Sequence, residues 1–331
     1  VTEGLVDAEV YPDRVPRHLR EHLGQVKTVK AARYWGRRRR LDRWRWRARR
    51  TPVVAVLPAV GQILAGTPGG VGQGNVVTAR VMSRMLAAVR KEPQVAAVVL
   101  RIDSPGGSAE ASDLIWRQVR RLAKVKPVVA SMGDVAASGG YYIAMAADHV
   151  IAQPGTLTGS IGVVAGKINL GGLYERLGIH REVMSYGQNA GFYSTTEDFS
   201  DSERVRLKER MADFYRIFVG KAAECREMDP DELEEHARGR VWTGRQALER
   251  GLVDGLGGFH DALAAASALA GHDEPLVAVT LQPPGAPWWS PMRWLTSAQL
   301  SSHFPTLGWL IQPELRTGGL MARLPFDFKI G

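Results

Sequence analysis

A serine followed by two glycines, with an apolar run on either side, is a local pattern that can turn an ordinary hydroxyl into a nucleophile. Here it reads Ala137-Ser138-Gly139-Gly140-Tyr141-Tyr142. The run before it has strand character and the run after it helix character, so Ser138 falls at a helix N-terminus. Backbone N–H groups point outward there, and the helix dipole favours negative charge. Acyl transfer needs such donors for its oxyanion, and the glycines let a substrate carbonyl approach the backbone closely. The competing reading is a plain N-cap, a common place for serine.

A second turn, Ser104-Pro105-Gly106-Gly107, also follows the carboxyl end of an apolar run. Ligands gather at that end of open α/β sheets. The two turns could aim two N–H groups, those of Gly107 and Gly139, at one oxyanion. A serine hydroxyl also needs a base. His149 is the histidine nearest in sequence, but it opens a strand at the other end from Ser138. His180, His236 and His260 sit in polar, surface-like contexts. No His, Cys or acid cluster has metal-ligand spacing, so no metal and no cofactor is expected. A Ser-Lys arrangement is therefore the better candidate.

The elements that must carry these residues alternate. Residues 53–57 and 95–102 are continuous apolar runs, as in strands covered on both faces. Helices are predicted over 79–91 and over 109–124, the latter capped by Ser108. Residues 127–131 give a third strand, and 139–147 a helix after Ser138. Shorter strands are expected at 150–152, 161–165 and 181–185. Ser200-x-x-Glu203 and Thr243-x-x-Gln246 are capping boxes, and Asp229-Pro230 opens another helix. The alternation argues for an α/β fold with a mainly parallel sheet and flanking helices.

The chain has 331 residues, 45% of them hydrophobic, and a net charge of +9. Residues 33–50 hold ten arginines against the single acid Asp42, with Trp35, Trp44 and Trp46 interleaved. This basic linker, 29–50, is either solvated or attached to an anionic membrane surface, where basic residues and Trp are both favoured. Nucleic-acid binding is not expected, because no nucleic-acid fold accompanies the patch. No apolar run reaches 18 residues, so no transmembrane helix is expected. The lone Cys225 excludes an internal disulfide framework.

Taken together, Ser104-Pro105-Gly106-Gly107-Ser108, Ala137-Ser138-Gly139-Gly140-Tyr141-Tyr142 and Leu157-Thr158-Gly159-Ser160-Ile161-Gly162 resemble the signature of the signal peptide peptidase A family. Arg240-Val241-Trp242-Thr243-Gly244-Arg245-Gln246-Ala247 and Gly251-Leu252-Val253-Asp254 resemble its closing segment. The resemblance implies a ClpP/crotonase-like fold and a membrane-associated serine endopeptidase of the bacterial cell envelope. It further implies a peptide substrate such as a cleaved signal peptide, a ring-like homo-oligomer and a Ser-Lys dyad. By position, Ser138 matches the nucleophile, Gly139 with Gly106 and Gly107 the oxyanion region, and Ser160 a serine that orients the lysine.

The lysine itself is missing: its place, three residues after Gly187, is Ala190. Lys208 and Lys221 fall on an amphipathic helix, and Lys167 comes too soon after Ser160 to align, though it is kept as a substitute. A chain with the serine but not the lysine resembles the C-terminal half of double-length members, whose N-terminal half supplies the lysine. Gly4-Leu5-Val6-Asp7 repeats Gly251-Leu252-Val253-Asp254, so residues 1–28 read as the tail of a preceding repeat, and Val1 as the start of a processed chain or fragment. Residues 51–272 are then the peptidase domain and 273–331 a Pro/Trp-rich tail. Two other functions stay open: a catalytically inactive assembly module, favoured by Ala190, and a crotonase-type acyl-CoA enzyme, whose acids could come only from Asp103 and Asp134.

Overall fold

The computed structural model describes residues 51–66 and 76–281, the strand Met321–Arg323, and Leu19, Glu21, His22 and Gly24. The chain divides into two units, Val1–Thr51 and Pro52–Gly331. In the first, Leu19, Glu21 and His22 are helical. The basic linker and the first Gly-Leu-Val-Asp lie outside the described residues.

In the second unit the apolar runs become a parallel sheet. Its long strands are β1 (Val53–Val60), β4 (Val95–Ser104) and β6 (Val128–Ala137). With β7 (His149–Ala152), β10 (Gly255–Leu256) and β11 (Val277–Thr280) they stand in the order β10-β7-β6-β4-β1-β11, all parallel. β6 outruns its neighbours at the carboxyl end. There it pairs with β8 (Leu157–Gly159), which carries β9 (Val241–Thr243) antiparallel on its far side. A smaller sheet, ordered β12-β5-β2-β3, joins β2 (Gln62–Leu64), β3 (Val76–Thr78), β5 (Gly106–Ser108) and β12 (Met321–Arg323).

The flanking helices begin where local chemistry says they should. α1 (Ala79–Lys91) starts at Thr78, whose hydroxyl accepts from Val81 N–H, and α2 (Ala109–Ala123) starts at Ser108, which accepts from Ala111 N–H. α3 (Gly139–Ala144) follows Ser138, and α4 (Gly171–Arg176) is a short surface turn. α5 (Asp201–Arg226) and α7 (Gly244–Glu249) each open on a complete capping box, and α6 (Pro230–His236) on Asp229 with Pro at its first position. α8 (Phe259–Leu269) lays Ala262, Leu263 and Ala266 on Val54, Val56, Ala97, Val99, Val129 and Ile151. Burying each such branched side chain contributes about 1.5–3 kcal/mol, which makes this contact a hydrophobic seam of the sheet.

Three expectations about extent are corrected. The strand predicted over 127–131 runs on to Ala137, through the Gly133-Asp134 break in hydropathy. Asp103 Oδ1 accepts from Val135 N–H there, at a shift in the β4–β6 register, so a polar contact carries the strand across the break. The helix predicted to Ala147 stops at Ala144, because Asp148 exchanges bonds with Val128 through its own N–H and its carboxylate and draws the chain into β7. Residues 161–165 and 181–185 form no strand. Beyond Ser160 only Val164 makes an isolated bridge, and residues 181–185 are exposed with no strand beside them. β-branched composition does not make a strand without a neighbouring edge to bond to.

The second Gly-Leu-Val-Asp proves to be a clamp. Asp254 accepts from Val150 N–H at 2.6 Å and from Arg226 Nη2 at 2.5 Å and Nη1 at 3.1 Å, while Arg226 Nε donates to Gly251 O. It thereby ties the end of α5 to β7. Burial alone would raise the Asp254 carboxyl, but the Arg226 guanidinium and the Val150 N–H outweigh it and hold the group below its ordinary value. A carboxyl depressed in the folded state adds stability that is present above the unfolded-state pKa and is lost as pH falls through the folded-state one. Asp254→Asn should therefore cost about 2–3 kcal/mol at neutral pH. In urea titrations from pH 7 down to 3, the gap from wild type should close below about pH 4.

Candidate active site

Ser138 sits one residue past the end of β6 with φ 53° and ψ −114°, outside both strand and helix geometry. Two backbone bonds hold it there: its N–H donates to Gly159 O at 2.8 Å, and its carbonyl accepts from Tyr142 N–H at 2.8 Å. Its side chain makes no cap bond. The hydroxyl is buried, on a residue 1% exposed, and has no hydrogen-bond partner. An N-cap serine would spend its oxygen on the helix. This one is held in a strained conformation, worth about 1–3 kcal/mol, with an unsatisfied hydroxyl worth a similar amount. Such costs concentrate at functional sites.

Both tyrosines after the glycines are anchors. Tyr141 Oη donates to Leu252 O at 3.0 Å and Tyr142 Oη to Asp113 Oδ1 at 2.7 Å. Asp113 lies on α2 and is also paired with Lys221 from α5. Burial pushes both phenols well above their usual range, with the Asp113 bond adding to it for Tyr142. Tyr142 further packs against Phe218 and Phe214, at ring distances of 4.6 and 5.9 Å. The helix that carries Ser138 is thus bolted from both sides.

Ser160 occupies the equivalent position on β8. Ala137 pairs with Gly159, so the two serines follow directly on a register pair. Ser160 also has positive φ, 50°, is buried, and donates its N–H to Arg240 O at 2.7 Å. The Arg240-Val241-Trp242-Thr243 run explains itself here. β9 braces β8, Trp242 Nε1 donates to His236 O, and a Cβ on Gly159 would come within 2.9 Å of Trp242 Cδ1.

The second turn reaches the same place. Gly140 lies against the Ser104 carbonyl, 2.5 Å from where its Cβ would be, which brings the start of α3 onto the end of β4. Gly106 N–H donates to Ser104 Oγ at 3.2 Å, so of the two glycines in this turn Gly107 is the better placed as an oxyanion donor. Gly107 has φ 149°, and a Cβ there would fall 2.0 Å from Ile63 O.

The structure answers the question of the base differently for each candidate. His149 pairs with Val129, nine residues before Ser138 along β6, or roughly 30 Å at strand rise; its Nδ1 lies 3.8 Å from Asp254 instead. Lys167 is buried beside Glu203 at 3.9 Å, donates to Gly191 O and sits 4.4 Å over Phe199. Lys221 is held by Asp113 and lies 3.9 Å over Trp116. Burial lowers the Lys126 amine against the pull of Glu92, but it caps the carbonyls of Val89 and Glu92 at the opposite end of β6. Lys91, Lys124 and Lys208 are exposed, and Ala190 is exposed in a turn closed by its N–H to Gly187 O. Asp134 is exposed and Asp103 is committed to Val135 N–H, so neither stands ready as a catalytic acid. Among the described residues no group of acids, His and Cys could hold a metal ion, and no helix is long and apolar enough to cross a membrane.

Residues 120–273 match the sequence model of Peptidase family S49, and residues 71–157 that of Clp protease. The chain is 39% identical over 203 residues to a putative protease of Synechocystis, covering 60% of this chain and 73% of that protein. It belongs to peptidase family S49. It is also 41% identical over 276 residues to the chloroplastic serine protease SPPA of Arabidopsis thaliana, covering 81% of this chain and 40% of that protein. Against Protease 4 of Salmonella typhi it is 38% identical over 220 residues, 66% of this chain and 34% of that one. The chain thus spans well under half the length of these two relatives. A solved structure of the 1510-N membrane-bound stomatin-specific protease, S97A mutant, is 17% identical and superposes with a TM-score of 0.46, over 71% of this chain and 99% of that one. As an S49 member the chain has the ClpP-like α/β fold of a serine-type peptidase, with its mainly parallel sheet and flanking helices.

The close approach at Gly107 gives a direct test of how the site is built. Gly107→Ala places a methyl inside the van der Waals radius of Ile63 O, and β2 must shift. A destabilisation of about 3 kcal/mol is expected, read as a lower denaturation midpoint. Ser108→Ala, which loses only the cap bond of α2, should cost about 1 kcal/mol.

Proposed function

We propose that this chain hydrolyses peptide bonds with Ser138 as the nucleophile. Ser138 Oγ gives its proton to the base and attacks the scissile carbonyl, and the N–H groups of Gly139 and Gly107 receive the oxyanion. The amine half leaves as the C–N bond breaks and takes up that proton, and water then releases the acyl group. Ser160 orients the base, a lysine amine kept neutral by burial. The observation that carries this reading is the buried, unpartnered Ser138 hydroxyl, strained out of the N-cap role and lying between two glycine turns. Every buried or half-buried lysine among the described residues is engaged elsewhere, which supports a lysine donated by another polypeptide segment or subunit. Family membership supports a peptide substrate, small and apolar as in cleaved signal peptides, and work at a bacterial membrane surface to which residues 33–50 would attach. The exposed Leu173, Leu177, Ile179, Val183, Met184 and Tyr186 give a homo-oligomer an apolar surface to bury.

Ala190 favours a second reading, an inactive module that binds peptides without cutting them. One experiment separates the two. With the lysine-bearing partner present, a quenched fluorescent peptide should be cleaved, and Ser138→Ala should slow cleavage by about 10³-fold or more with little change in peptide affinity. The chain alone should cleave poorly. Equal rates for wild type and Ser138→Ala would leave only the binding module, and full activity from the chain alone would remove the need for an outside lysine.

A further inference from the structure

Next to the two serine turns runs a strand whose outer edge is already taken. β5 has β2 on its inner side and β12 on its outer side. β12 runs antiparallel to it, with Met321 opposite Ser108, Ala322 opposite Gly107 and Arg323 opposite Gly106. β12 also lies against α3, the helix that Ser138 opens.

This edge has the character of a receptor for extended backbone. Its strand is two glycines and a serine, so its outer edge presents main chain with little side chain over it, while the close approach at Gly107 is to Ile63 on the inner side. Recognition there would run through main-chain bonds, indifferent to most side chains, as when a peptide adds itself to a sheet edge. β5 is fixed from the inside, through the Gly107 approach to Ile63 and through Ser108 as the cap of α2, so its place does not rest on β12. β2 joins it parallel, whereas β12 joins from the far C-terminal part of the chain in the opposite sense, as an added strand does.

We propose that residues 321–323 are a built-in competitor for the outer edge of β5, holding the place of an extended peptide. A competitor on the same chain acts at an effective concentration that dilution does not change, so weakly binding peptides are refused and only those that outcompete it enter. That the displaced edge serves catalysis rests on Ser138 being the nucleophile; the competition itself rests on the strand pairing alone.

The test uses the full chain and a fluorescent peptide copying residues 318–326, with binding read by anisotropy. In an antiparallel ladder successive residues point their N–H groups to opposite sides. Ala322→Pro and Met321→Pro between them therefore remove a bonding N–H. At least one should tighten peptide binding about tenfold and speed amide exchange at whichever of Gly107 and Ser108 turns its N–H toward β12. If either variant melts early, glycine at all three positions replaces it. Unchanged affinity in every variant overturns the proposal. So does relief of the competition by diluting the wild-type protein, which would assign the strand to a second copy. Repeating the measurement with Ser138→Ala keeps the two claims apart: the proline effect on binding survives there even if Ser138 proves not to be the nucleophile.

Discussion

β6 runs six residues past its last pair with β7, Ser131 with Ile151, and the rest of the site depends on what its end meets. Val135, Ala136 and Ala137 pair with Leu157, Thr158 and Gly159, and the bond from Ser138 N–H to Gly159 O closes the ladder. This short register fixes both serines at once, one past the end of each strand. It holds because each strand is braced on its other side. β4 supports β6 up to the Ser104–Ala136 pair, and β9 supports β8 through the whole of its length. The hydrophobic seam under α8 contributes stability to the sheet, and the backbone ladder at the end of β6 supplies the geometry.

Around that ladder, the contacts that matter join segments far apart in sequence. α2 begins just past the Gly106-Gly107 turn and α3 at Ser138, and the Tyr142–Asp113 bond ties the two helices together. The two glycine turns and Ser138 are therefore held as one piece, and in the proposed reaction an oxyanion would meet groups that need no rearrangement. The Asp254–Arg226 clamp belongs to a different part of the molecule and fastens the long α5 to the sheet. Two runs that look alike as motifs thus sit differently in the fold: Ala137 to Tyr142 builds the candidate site, while Gly251 to Asp254 fastens a helix to the sheet.

How much of this could be read from the chain depended on range. Helix starts were legible because capping is local, and Ser108, Ser200, Asp229 and Thr243 all cap as their neighbours imply. The buried strands were legible as apolar runs. Ser138 and its glycines stood out because a turn with backbone exposed to a ligand has a residue signature. The strands at 161–165 and 181–185 were misread because a strand is a relation between two segments, and nothing in Arg181 to Ser185 says that no edge waits for it. The engagement of Lys167 with Glu203 and the Tyr142–Asp113–Lys221 chain could not be read either: they link residues tens of positions apart, and only the fold brings them together.

Both serines hold positive φ, in a region where a side chain is disfavoured by about 1–2 kcal/mol and glycine is not. Neither strand can continue through such a residue, so Ser138 and Ser160 mark where β6 and β8 stop. The backbone at these two points would be more comfortable with glycine, and the hydroxyls are retained against that preference. Ser→Ala keeps the strain and loses the oxygen, whereas Ser→Gly loses both. A glycine at either position would give a firmer fold and remove the hydroxyl on which the proposed chemistry depends.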